Sequence, residues 1–155
     1  MDVFHKIKAL LDQHNLNYAV KEHPPTPTSE DSARERGEPL KIGAKALILK
    51  ADEKFVMVIV PGDRKIDSQR LKEILKAKNL RFASAEELEK ITFLKPGAVP
   101  PFGNLFNLPT IMEQAFLDEE YLAFNAGSLT ISIKMKVNNF IDIVKPTLYE
   151  FSVKK

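Results

Sequence analysis

The sequence predicts one α/β domain over residues 1–155, a mixed, mostly antiparallel sheet flanked by helices. Three observations predict it. Short apolar runs separated by polar turns recur along the chain, which is the pattern of sheet strands. Between them lie capped segments with apolar residues at helical spacing. The 155 residues, 44% hydrophobic and 28% charged, are about the length of one domain, and a chain of that size buries roughly 70% of its unfolded surface without disulfides or metals.

Asp2 is placed to cap a helix in which Val3, Phe4, Ile7, Leu10 and Leu11 share one face, ending near Asn15. A short strand, Tyr18 to Glu22, then meets His23-Pro24-Pro25-Thr26-Pro27. Each proline fixes its own φ and pushes its predecessor toward extended backbone, so this segment reads as a stiff loop. Thr28-Ser29-Glu30-Asp31 is a capping pattern for a short helix that Gly37 should end, placed to act as a lid. Ala46 to Lys50 and Phe55 to Val60 are apolar runs joined by Ala51-Asp52-Glu53-Lys54, a hairpin of buried central strands. Pro61-Gly62-Asp63 reads as a turn, after which Asp67 or Ser68 caps a helix with Leu71, Ile74 and Leu75 on one face. Leu80 to Ala83 is a further strand, and Ser84-Ala85-Glu86-Glu87 is a capping box opening a helix through Ile91.

A proline- and glycine-rich loop runs from Lys95 to Asn107, followed by strands at Pro109 to Glu113, Tyr121 to Ala126 and Leu129 to Met135. In the last, Leu129, Ile131, Ile133 and Met135 alternate with Ser128, Thr130, Ser132 and Lys134, so one face is core and the other is solvent or cleft. A helix from Asn139 to Lys145 stops at Pro146. No internal repeat, low-complexity tract or linker divides the chain.

Composition removes several chemistries. The absence of cysteine excludes disulfides, a cysteine nucleophile and cysteine-ligated metals, and fits a reducing, cytoplasmic setting. Met1 to Leu11 lacks the apolar core of a signal peptide, and the longest uncharged stretch, Pro96 to Met112, carries four prolines, so neither secretion nor a membrane span is expected. With 23 basic against 21 acidic residues, contact with nucleic acid would have to come from local clustering of charge. No metal is expected either, because the three histidines, His5, His14 and His23, lack ligand spacing. Phosphate-loop, dinucleotide and serine-hydrolase motifs are missing.

Three features point toward a site. Seven basic residues between Arg64 and Arg81, against Asp67 and Glu73, form either a solvated face or a phosphate-binding patch for RNA. Lys45 stands at the mouth of a strand otherwise suited to burial, where it either meets solvent or holds a substrate phosphate. His23, ahead of the proline loop, is placed at a cleft edge. The Gly-x-x-x-Pro of Gly97 to Pro101 is too common a spacing to argue alone.

The ordered set carries more. Lys45-Ala46-Leu47-Ile48-Leu49-Lys50, Pro61-Gly62-Asp63-Arg64-Lys65-Ile66-Asp67, Arg81-Phe82-Ala83-Ser84-Ala85-Glu86-Glu87-Leu88, Pro96-Gly97-Ala98-Val99-Pro100-Pro101-Phe102-Gly103, Leu108-Pro109-Thr110-Ile111 and Phe124-Asn125-Ala126-Gly127-Ser128 together resemble the YbaK/ProX family of aminoacyl-tRNA deacylases. That family includes the editing domain inserted in many prolyl-tRNA synthetases. The resemblance covers roughly Met1 to Lys145.

It implies the YbaK/ProX-like fold and trans-hydrolysis of the ester joining a wrong small amino acid (Ala, Ser, Thr or Cys) to tRNA, most naturally tRNA-Pro. Lys45 matches the lysine that engages the phosphate near the terminal adenosine. Gly97 matches the glycine that lets backbone amides approach the scissile carbonyl, and Pro101 would stiffen that loop. His23, Thr28, Ala46, Asn125, Gly127 and Ser132 complete the candidate substrate-binding set with Pro101. Ala46 stands where many relatives carry Thr, Ser or Asn, and Ser132 where the cysteinyl-tRNA branch is expected to carry Asp. No cofactor is implied, and the partners would be the tRNA acceptor end and a prolyl-tRNA synthetase. The alternative is a non-catalytic module that binds tRNA ends or a synthetase.

Overall fold

Four of the five helices start at the predicted caps. In the computed structural model, which describes residues 1–155, Asp2 accepts the His5 amide hydrogen at 2.9 Å and opens α1 (Val3–Gln13). Thr28 accepts the Asp31 amide at 3.1 Å at the start of α2 (Ser29–Arg36), which Gly37 ends in left-handed backbone. Asp67 caps α3 (Ser68–Leu75), and Ser84 with Glu87 forms a reciprocal capping box on α4 (Ala85–Thr92). Helix α5 (Val137–Val144) begins before Asn139, directly on the end of a strand, and closes at left-handed Lys145 ahead of Pro146.

Ten strands accompany them: β1 (Tyr18–Glu22), β2 (Ala44–Ala51), β3 (Lys54–Pro61), β4 (Arg64–Ile66), β5 (Leu80–Phe82), β6 (Thr110–Glu113), β7 (Tyr121–Asn125), β8 (Ile131–Lys136), β9 (Thr147–Tyr149) and β10 (Ser152–Lys154). One sheet has the order β5-β2-β3-β6-β9, a second the order β1-β8-β7, and β4 pairs with β10 as a ribbon. Only β3 with β6 and β6 with β9 run parallel, so the sheets are mixed and mostly antiparallel. A parallel bridge between Gly43 and Ala123 joins the two larger sheets at the foot of β2.

Strand β3 is an apolar run because it is buried on both faces. Met57 and Ile59 enter the main core with residues of α1, β7, β8 and α5, while Val56, Val58 and Val60 enter a second cluster with Leu71 of α3 and Phe151. Strand β8 starts at Ile131 and not Leu129, since Ser128 and Thr130 bond each other's polar groups in a turn. Its second face is not open to solvent at Ser132, which is buried.

Strands β4, β9 and β10 carry no sequence signal. Each is three residues long, and each exists by pairing with a distant partner: Ser152 to Lys154 against Arg64 to Ile66, and Thr147 to Tyr149 beside Ile111 to Glu113. The buried Glu113 carboxylate holds this region, accepting from the amides of Phe151 (3.0 Å) and Ser152 (2.9 Å) and from the Ser152 hydroxyl (2.6 Å). The basic cluster of residues 64–81 is dispersed over β4, α3 and β5, and Arg70 and Arg81 are paired with Glu150 and Glu87. No helix is long and apolar enough to cross a membrane.

Candidate active site

Four segments meet where the sheets join. The loop into α2, the foot of β2 (Gly43 to Leu47), the loop at Gly97 to Val99, and Asn125 at the end of β7 enclose a cleft of about 230 Å³. Its titratable lining groups are Lys45 and Arg36, and no carboxylate lines it. The cleft therefore carries positive charge with no matching anion on its own walls.

Lys45 is half-buried on β2, opposite Val60 of β3, and forms no salt bridge. Burial depresses its pKa first, and the nearby charge of Lys155 adds to that, with Glu30 opposing. Glu30 is itself bound to Lys155 at 3.4 Å. A half-buried ammonium without a partner is stabilised by an incoming anion.

The loop at Gly97 is held from three sides. Asn125 Nδ2 donates to the Gly97 carbonyl at 2.9 Å, the Gly127 amide donates to the Ala98 carbonyl at 2.9 Å, and the Ala98 amide turns back to Lys95. Phe102 follows at once and is locked in the core, edge-on to Phe124 and Phe140 with ring centroids 5.3 and 5.4 Å away. Gly97 has φ +86°, a conformation that favours glycine, and a Cβ there would stand 3.1 Å from Leu129 Cδ2. The Gly97 and Val99 amides find no acceptor within the protein, and both residues line the cleft.

Behind that wall runs a chain of polar side chains. His23 Nδ1 lies 2.9 Å from the Pro24 carbonyl, which only accepts, so Nδ1 carries a proton; Nε2 lies 2.7 Å from the Ser132 oxygen, and that hydroxyl is within reach of Asn125 Oδ1 at 3.3 Å. Arg36 Nε donates to the same Ser132 oxygen at 2.8 Å, and its Nη2 donates to Asn125 Oδ1 at 3.0 Å. Arg36 has no carboxylate partner; burial pushes its pKa down to about 10, with Glu38 opposing.

Of the residues singled out by sequence, Lys45, Ala46, Thr28, Gly97 and Asn125 line the cleft together. His23 and Ser132 do not, because they are buried in the supporting chain. Pro101 is buried behind the loop, and Gly127 packs against α1, where a Cβ would meet Val3 at 3.1 Å. Sequence reasoning missed Ser32, Arg36 and the Val99 amide. The first two have a signal: Thr28, Ser32 and Arg36 recur every fourth residue, so they share one face of α2, and all three line the cleft.

The family model described as aminoacyl-tRNA editing domain matches residues 23–143. A proline--tRNA ligase of Caldicellulosiruptor bescii is 52% identical over 103 residues, which is 64% of this chain and 18% of that protein's length. The multifunctional Ser/Thr-tRNA deacylase ProXp-y of Escherichia coli is 28% identical over 94% of this chain and 90% of its own. The prolyl-tRNA editing protein ProX of Acetoanaerobium sticklandii is 32% identical over 75% of this chain and 72% of its own. A solved structure reported as a candidate trans-editing enzyme for prolyl tRNA synthetase superposes with TM-score 0.84 at 18% identity, over 100% of this chain and 98% of that one. The cleft, its lysine strand and its glycine loop thus sit in a chain that belongs to the aminoacyl-tRNA editing domain family, the YbaK/ProX family its motifs resemble.

Proposed function

We propose that the chain is a trans-editing hydrolase that cleaves the ester of a mischarged aminoacyl-tRNA carrying a small amino acid, with tRNA-Pro the natural carrier. The observation that carries this reading is the pairing of an unpartnered, half-buried Lys45 with two free amides, Gly97 and Val99, in one small cleft.

The geometry supports a division of labour. Lys45 takes the phosphate next to the terminal adenosine as a point charge. The Gly97 and Val99 amides take the carbonyl oxygen as it becomes an oxyanion, the role in which one such donor is commonly worth about 3 kcal/mol. Water adds to the acyl carbon, the ester C–O bond breaks, and the amino acid leaves as a carboxylic acid while the ribose oxygen takes a proton from the attacking water. No acid or base side chain other than Lys45 and Arg36 lines the cleft, so that proton moves through water or the neighbouring ribose hydroxyl.

The experiment is deacylation of tRNAs charged with Ala, Ser, Thr, Cys and Pro by the wild-type protein and by Lys45→Ala. Lysine-dependent release of one or two small amino acids supports the reading. Binding of tRNA or a prolyl-tRNA synthetase without release would make the chain a binding module instead.

A further inference from the structure

Ser32 is only 5% exposed, and its hydroxyl makes no hydrogen bond within the protein. Every fully enclosed side-chain oxygen and nitrogen in the chain has a partner, so the Ser32 oxygen is not sealed in; the space it opens on is the cleft it lines. The neighbouring groups on that wall are already committed. Thr28 bonds Asp31, Thr26 donates to the Leu129 carbonyl at 3.2 Å, and Arg36 holds Ser132 and Asn125. Ser29 also has a free hydroxyl but is half-exposed, where water satisfies it. Asn125, buried across the cleft, spends one Nδ2 hydrogen on Gly97 and keeps the other. The β2 wall contributes Ala44, Ala46 and Leu47, with no polar side-chain atom beyond Lys45.

We infer that Ser32 is the residue that selects the amino acid, by hydrogen bonding a side-chain hydroxyl of the bound ester, so that the preferred substrates are seryl and threonyl esters. This rests on the deacylase reading above. A side-chain hydroxyl can donate to one of these groups and accept from the other. An alanyl methyl in the same place would cover the Ser32 oxygen and leave it unsatisfied, and a site built to bond a hydroxyl rejects the analogue that lacks it through that loss.

The test compares kcat/KM for seryl, threonyl and alanyl esters on one tRNA, using wild type, Ser32→Ala and Ser32→Thr. Alanine is a good helix residue, so Ser32→Ala keeps α2. The expected result is a wild-type preference for the hydroxyl-bearing esters, a fall of about five- to tenfold on those esters in Ser32→Ala with alanyl release raised, since no oxygen is left unsatisfied there, and recovery of the preference in Ser32→Thr. An equal fall on all three esters would assign Ser32 to a shared part of the substrate and overturn the inference. So would unchanged kinetics, with Lys45-dependent turnover leaving the deacylase reading intact. If wild type releases none of the esters, the deacylase reading fails and this inference falls with it.

Discussion

Asn125 Nδ2 reaches the Gly97 carbonyl at 2.9 Å while its Oδ1 is held by Arg36 Nη2 at 3.0 Å, so one buried amide ties α2 to the glycine loop. The amide cannot be turned over, because guanidinium only donates and the carbonyl only accepts. The position of the glycine loop is thus linked to Arg36, a residue far from it in sequence.

Arg36→Ala should unfold the protein more easily by about 2 kcal/mol, since it leaves Ser132 and Asn125 without a charged donor. Arg36→Lys should not restore activity, because an ammonium lacks the planar fork that reaches both oxygens. Thermal melts and deacylation rates on the two variants check this; a fully active Arg36→Lys would show that charge, not geometry, is what matters.

Lys45→Ala should lower deacylation by orders of magnitude without lowering the melting temperature. Burial and Lys155 depress the Lys45 pKa, so its charge is a cost to the folded state that is fully present below the folded pKa and disappears as pH rises through that value toward 10.5. Melting at pH 7 should therefore show the variant equal to or above wild type. A clear loss of stability would mean Lys45 has a structural partner.

Gly97→Ala should cost about 1–2 kcal/mol through its positive φ and reduce deacylation by moving the loop amides. Wild-type turnover in this variant would remove the backbone donors from the mechanism.

Glu87 is held by Arg81 and by the Ser84 amide, which brings its pKa down to about 2. A depressed carboxylate contributes stability present above its ordinary value near 4.5 and lost as pH falls toward 2. The stability difference between wild type and Glu87→Gln should accordingly shrink across that window, read from melts at stepped pH, and a constant difference would show the bond makes no proton-linked contribution.

Glu113→Ala should destabilise the fold by about 3 kcal/mol, since three donors at Phe151 and Ser152 lose their buried acceptor. Hydrogen exchange should show β10 and β4 opening first; unchanged protection there would mean the ribbon stands without the carboxylate.

Caps and the β2–β3 hairpin were legible from residues alone because each depends on neighbours within a few positions, and Lys45 stood out as a cation on an apolar strand, whereas Gly97 was marked only by the family resemblance. Thr28 caps through Asp31, and Glu87 reaches back to Ser84. Strands β4, β9 and β10 were not legible, since a three-residue strand with charged members has no alternation to read and exists through ladders to distant residues. His23 and Ser132 looked like cleft residues because each is polar beside a loop or on a polar strand face. They are buried instead, satisfied by each other and by Arg36.

By itself, then, the sequence determined the starts of α1 to α4, the buried β2–β3 hairpin and the fold class, all written in local spacing and burial pattern, while the roles of Lys45 and Gly97 were legible only through the family resemblance. Tertiary structure alone decided which side chains share the cleft. That assignment depends on where α2 docks, and α2 has no apolar face to announce its position. It is seated through Arg36, whose partners Asn125 and Ser132 come from β7 and β8, and hydrogen-bond complementarity between distant segments leaves no periodic mark on a sequence.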